Sequence, residues 1–245
     1  MLYITIGTGK NGTHTLDALA RLGMLSFHEP EPYLDREACA MYEGESGSWD
    51  GYCMWRDLVQ ALLRAHVNVH IANHHLTYFV PQIERDFGPC RYILPVRDDW
   101  RNCAAHTFGH GAYCGEDRGP NHPWHVHWYE YPRDRELRAR WVELPRPSKC
   151  VWMWKTRNRV ARAVLADKDA LILRTEDIDD MVPDILEYLG LSGVADPVLA
   201  REWCEKRIAS GDPDRRVNEL VEVDGAAEYN DAVLRGDYDE EVPDL

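Results

Sequence analysis

Short apolar runs alternate with helix-period segments along most of this 245-residue chain, and that alternation leaves few architectures open to it. Residues 2–6, 25–27, 67–72, 90–96 and 170–173 are short, largely apolar and contain β-branched or aromatic groups, so they read as buried strands. Residues 13–22, 57–66, 76–87 and 151–165 carry apolar groups at helical spacing, as does a segment ending near Leu189-Gly190. Strands and helices in regular turn predict a parallel sheet covered by helices on both faces, a three-layer α/β sandwich. In such sheets ligands bind beyond the carboxyl ends of the strands. The residues that follow Ile6, Phe27, Val96 and Leu173 are therefore the places to look for chemistry.

Residues 1–210 read as one domain. Within it, 35–41 and 100–108 are expected to be short helices and 44–51 a glycine- and serine-rich loop. Residues 109–147 are rich in Gly, Pro, His, Trp and Tyr and read as an insertion or lid, while 211–245 form an acidic tail. The formal charge of −14 argues against a general nucleic-acid binder, because a phosphate backbone demands a basic face. No apolar run is long enough to span a membrane, and the strand-like start at residues 2–6 has none of the features of a targeting segment. The seven cysteines contain no C-x-x-C pair, which suits reduced thiols and a cytoplasmic location.

The first expected strand runs into Gly7-Thr8-Gly9-Lys10-Asn11-Gly12-Thr13-His14-Thr15 and then a helix. Glycines let backbone N–H groups approach an anion, and a helix N-terminus adds a favourable field. Gly7 and Gly12 have the spacing of the nucleotide-kinase loop G-x-x-x-x-G-K-[ST], but Thr13 stands where its lysine would be. The lysine precedes Gly12 instead. Lys10-Asn11-Gly12-Thr13 resembles the 5′-phosphosulfate-binding loop, K/R-x-G-T, of sulfotransferases that use 3′-phosphoadenosine 5′-phosphosulfate (PAPS). Three further segments follow in that family's order. Residues 92–98, Tyr-Ile-Leu-Pro-Val-Arg-Asp, resemble the strand whose terminal arginine holds the 3′-phosphate; residues 171–178 resemble a strand followed by Y-E-D-L; residues 185–191 resemble a helix ending in F-L-G-L. Ala105 stands where the family usually has a serine, and Thr175 where it has the tyrosine of Y-E-D-L.

The resemblance implies a P-loop-like fold and sulfuryl transfer from PAPS to a hydroxyl or amine of a small-molecule or glycan acceptor. It implies a donor site built from Gly9, Lys10, Asn11, Gly12, Thr13, His14 and Thr15, with Arg97 and Arg101 toward the 3′-phosphate. Lys10 would neutralise charge on the leaving oxygen. The family's proton acceptor is a histidine or a glutamate, and His28 and Glu29 stand together after the second strand, where alternation sends them to opposite sides. His106, His110, His122, His125 and His127 lack a cysteine or acid at zinc spacing, so no metal is expected. Two other readings compete: an ATP-dependent small-molecule kinase, and an inactive sulfotransferase-like binding protein.

Overall fold

The computed structural model describes residues 1–8, 12–29, 34, 37, 49–65, 68–97 and 157–208. Five parallel strands form its centre: β1 (Leu2–Thr5), β2 (Leu25–His28), β3 (Val69–Ala72), β4 (Arg91–Val96) and β5 (Ala170–Arg174), in the order β2-β3-β1-β4-β5. The helices are α1 (Thr13–Ala20), α2 (Asp50–Ala65), α3 (Val80–Phe87), α4 (157–164), α5 (Val182–Tyr188) and α6 (Pro197–Ile208). The α/β sandwich expected from the sequence is what forms, and strand order explains its layers. The β1-to-β2 connection crosses the sheet in one direction; the β2-to-β3, β3-to-β4 and β4-to-β5 connections cross in the other. Right-handed crossovers then place α1 on one face and α2, α3 and α4 on the opposite face.

The buried side chains divide accordingly. Leu2, Ile4 and Ile6 alternate into one core with Trp55 and Val59 of α2, Ile83 of α3 and Val160 of α4. Tyr3 and Ile93 point the other way, toward Leu16 and Leu19 of α1, Ile185 and Leu189 of α5 and Ala200 of α6. Strands enclosed on both sides must be apolar on both, which is why β1 and β3 are buried at every position.

On the α1 face one polar chain interrupts the core. Ser26 Oγ donates to Asp17 Oδ1 at 2.6 Å, His70 Nδ1 lies 2.7 Å from Ser26 Oγ, and Thr5 Oγ1 lies 2.8 Å from His70 Nε2. Because Ser26 gives its proton to the carboxylate, its lone pair accepts from His70 Nδ1–H, and His70 Nε2 accepts from the Thr5 hydroxyl. Arg21 closes the other end on Asp17 Oδ2 at 3.0 Å. Serine, histidine and aspartate in contact do not make a nucleophile here, since the serine stands in the middle and is buried under α1. The chain instead ties β1, β3 and β2 to α1 in one register. Burial pushes the His70 pKa down from 6.5 to about 4. The unfolded chain therefore takes up a proton that the folded chain refuses, so stability is complete above pH 6.5 and falls as pH drops toward 4. That difference corresponds to roughly 3 kcal/mol. Urea titrations at pH 7 and pH 4.5 should show a smaller acid loss in His70→Gln than in the parent; an equal loss would place the acid sensitivity elsewhere.

Several boundaries differ from those expected. The second helix starts at Asp50, not at residue 57, because the Glu37 carboxylate accepts from Gly51 N at 2.5 Å and Tyr52 N at 2.7 Å and so caps its first turn. The segment expected as one helix over 76–87 is a 3₁₀ turn, His74–Phe79, followed by α3. Pro81 has no N–H to continue the ladder and suits a first helical turn. Helix α6 was not expected, as its residues show no apolar stripe and Val198 and Leu199 are exposed. Its signal was the cap: Asp196 Oδ1 accepts from Val198 N at 2.9 Å, with Pro197 between them. Among the described residues no helix is long and apolar enough to cross a membrane. The expected helices at 35–41 and 100–108, the 109–147 insertion and the acidic tail at 211–245 lie outside the described residues, apart from Glu37.

Candidate active site at the carboxyl edge of the sheet

The connections from β1 and β4 leave in opposite directions, so these neighbours form the switch point where a parallel sheet opens a crevice. The glycine-rich loop follows β1 and Arg97 follows β4, so both stand at that crevice.

Gly12 ends the loop and begins α1. Its backbone has φ 96° and ψ 7°, and its carbonyl accepts from Thr15 N at 3.0 Å and Leu16 N at 3.1 Å. A side chain here would be strained by that φ. It would also meet Ile178 Cδ1 at 2.8 Å and Thr175 Cγ2 at 3.3 Å. Gly12 thus lets the loop pack against the turn that follows β5. Arg97 Nη1 in turn lies 3.9 Å from Oε1 of Glu176, in the 3₁₀ turn Thr175–Asp177. The sequence places Asp98 and Asp99 beside Arg97 as candidate partners, but both lie outside the described residues. Three segments far apart in the chain, 12–15, 97 and 174–178, therefore meet at one edge. Arg157 of α4 joins them from behind: its buried guanidinium donates to the Thr8 carbonyl at 2.7 Å. Lys155, Arg157, Arg159 and Arg162 form a basic stretch in the sequence that is expected to be a solvated helix face; the structure corrects this at Arg157, which is buried. The distinction between a surface arginine and a buried one needs the neighbouring strand.

Beside the loop stand the histidines. His28 continues the α1 face of β2, and its Nε2 is 3.1 Å from Thr13 Oγ1. The His14 ring stacks on it with centroids 3.6 Å apart and planes at 15°. Burial outweighs the pull of Glu29 and lowers the His28 pKa to about 4, so the ring is neutral near pH 7. Glu29 does not simply alternate to the other side. Its N–H still bonds to the Ala72 carbonyl at 2.8 Å, but its φ of 45° takes it out of the extended region. Among the described residues it is the one non-glycine with positive φ, a conformation that costs on the order of 1–2 kcal/mol. The turn swings its carboxylate to His74 Nδ1, 2.8 Å away. Burial raises the Glu29 pKa, but the charge and hydrogen bond of His74, with His28 and His75, outweigh it and hold the carboxyl well below its usual range.

His74 was not singled out by sequence. Asn73 N donates to the Thr5 carbonyl at 2.9 Å, continuing the β3–β1 ladder, and its side-chain oxygen accepts from His75 N at 2.9 Å. The N-H-H triplet after a strand, Asn as cap, was the available signal. Of the expected site residues, Gly12, Thr13, His14, Thr15, His28, Glu29 and Arg97 lie at this edge of the sheet. Gly9, Lys10, Asn11 and Arg101 lie outside the described residues, as do Ala105 and the histidines of 106–127. Among the described residues no cluster of three or more His, Cys, Asp or Glu could hold a metal.

No family model and no curated protein matches this chain. Among solved structures it is similar to a sulfotransferase from Alicyclobacillus acidocaldarius, at 15% identity and a TM-score of 0.46, over 92% of this chain and 97% of that one.

Proposed function

We propose that this chain is a PAPS-dependent sulfotransferase acting on a hydroxyl or amine. The observation that carries the reading is the junction at Gly12. The end of a loop with the phosphosulfate-loop pattern packs on the turn after β5, and Arg97 of the family-like segment 92–98 pairs with that same turn. Gly12 and Thr13 backbone N–H groups at the start of α1 suit a 5′-phosphate, and the Thr13 and Thr15 hydroxyls can add donors. Arg97 is the cation for the 3′-phosphate, its guanidinium exchanging a loose carboxylate contact for a bidentate one.

Sulfuryl transfer asks mainly for alignment, charge stabilisation and removal of one proton. Lys10 is the residue for the charge on the leaving oxygen. The proton acceptor belongs to the group gathered at the ends of β2 and β3, where His28, Glu29 and His74 meet.

Calorimetry with adenosine 3′,5′-bisphosphate (PAP) and with ATP plus magnesium tests this. Tight PAP binding and weak ATP binding are expected; the reverse would favour a kinase. PAPS turnover with a panel of alcohols and amines then separates an enzyme from an inactive relative. Arg97→Ala should weaken PAP at least tenfold more than adenosine 5′-phosphate, because a lost charge-assisted contact is worth roughly 1.5–3 kcal/mol. Equal losses for the two nucleotides would make Arg97 structural.

A further inference from the structure

We propose that Nε2 of His74 takes the acceptor's proton, and that Glu29 is a positioning residue that fixes the His74 tautomer through Nδ1. The inference rests on the sulfotransferase reading for the reaction, but the pair itself is read from geometry.

Glu29 Oε1 and His74 Nδ1 are 2.8 Å apart. An ionised carboxylate only accepts, so Nδ1 carries the hydrogen and Nε2 is the ring nitrogen left to meet an incoming group. Among the described residues, that Nε2 is buried and has no hydrogen-bond partner. Buried polar atoms are nearly always paired, so an orphaned one at the carboxyl edge of a parallel sheet points to a group that arrives from outside. The arrangement also carries a backbone cost: Glu29 has a positive φ of 45°, and from that turn its carboxylate reaches from the end of β2 to the residue after β3. A strained non-glycine is a mark of a site where geometry matters more than local stability.

The neighbours fit this division of roles less well to the alternatives. His28 already has Nε2 engaged by the Thr13 hydroxyl and is packed flat against His14. Glu29 has one oxygen committed to His74 Nδ1. Among the described residues the titratable groups near His74 are Glu29, His28 and His75, whose ring centroid is 3.9 Å away.

The step balances as follows. The acceptor O–H bond breaks and its proton moves to His74 Nε2 as the oxygen bonds to sulfur. The S–O bond to the 5′-phosphate breaks, and its electron pair leaves with PAP. Nδ1–H stays on the ring, and the Glu29 charge stabilises the imidazolium.

Two measurements test the proposal. Long-range ¹⁵N NMR of histidine-labelled protein reads the tautomer without any substrate, the His74 signal being the one missing in His74→Asn. Protonated Nδ1 and bare Nε2 are expected at pH 7, and Glu29→Ala should shift the proton toward Nε2. A parent protein with the proton on Nε2 would overturn the pairing. The second uses PAPS with water as acceptor, followed as release of PAP. His74→Asn should lower this rate at least 100-fold, and Glu29→Gln about tenfold, with PAP affinity held within twofold in both. Glu29→Asp should recover part of the rate and Glu29→Ala none. A full rate in His74→Asn, or a greater loss in Glu29→Gln than in His74→Asn, would return the role to Glu29. If the parent neither binds PAP nor consumes PAPS, the sulfotransferase reading fails and the proton-transfer role with it, while the NMR result still decides the Glu29–His74 pair.

Discussion

Lys10→Ala is expected to lower turnover of PAPS by roughly 10²–10³-fold while changing PAP affinity only a few-fold. The reason lies in where charge appears. In the bound donor the sulfate and phosphate already carry their charges, and many groups share them. In the transition state new charge develops on the oxygen between sulfur and phosphorus. A cation two residues before Gly12, in the pattern Lys10-Asn11-Gly12-Thr13, is the group expected at that oxygen. An interaction that strengthens only as the bond breaks contributes to kcat and little to ground-state binding. Single-turnover rates with PAPS, set beside PAP calorimetry, separate the two effects. Equal loss of rate and of PAP affinity would make Lys10 a binding residue, and an unchanged rate would remove it from the chemistry. Lys10→Arg should recover part of the rate, since charge is kept while its position shifts.

The second large effect is on stability. Trp55→Ala should destabilise the fold by roughly 3–5 kcal/mol, read as a lower urea midpoint. Trp55 is completely buried in α2. Its ring lies against Tyr52, with centroids 5.6 Å apart, and edge-on to Phe87 at 5.7 Å and 80°. Alanine would leave a cavity among aromatic rings that cannot readily collapse. Trp55→Phe is the informative companion. It keeps most of the apolar volume and deletes an indole N–H that has no hydrogen-bond partner among the described residues, so its cost should be far smaller. The effect reaches the site as well. Tyr52 stacks on Phe79 with centroids 5.0 Å apart, and Phe79 closes the 3₁₀ turn that begins at His74. A loosened α2 should therefore raise hydrogen exchange in residues 74–79 before it affects α1. Equal exchange in both segments would show that the two cores soften together.

Much of the architecture was legible from local pattern. Strands β1, β3 and β4 are apolar because both their faces are covered, and a run of such residues cannot be mistaken for a solvated segment. The strand–glycine loop–helix start was equally readable, since only glycine tolerates the backbone at Gly12 together with its approach to Ile178. Where elements began was less legible. The cap on α2 comes from Glu37, distant in sequence, and α6 is marked by Asp196 and Pro197 and not by any apolar stripe.

The sequence by itself determined the class of fold and the glycine-ended loop between the first strand and the first helix, because periodicity and glycine placement are local properties of the chain. Only the tertiary structure decided which groups act on one another. Alternation along β2 put His28 and Glu29 on opposite faces, but the left-handed turn at Glu29 sent its carboxylate to His74 on a neighbouring strand. The Ser26–His70 contact, the burial of Arg157 against Thr8 and the meeting of Arg97 with Glu176 arise in the same way. Each joins residues that are remote in sequence and adjacent only through strand order. A hydrogen bond between them depends on that order to within an ångström, and no spacing along the chain encodes it.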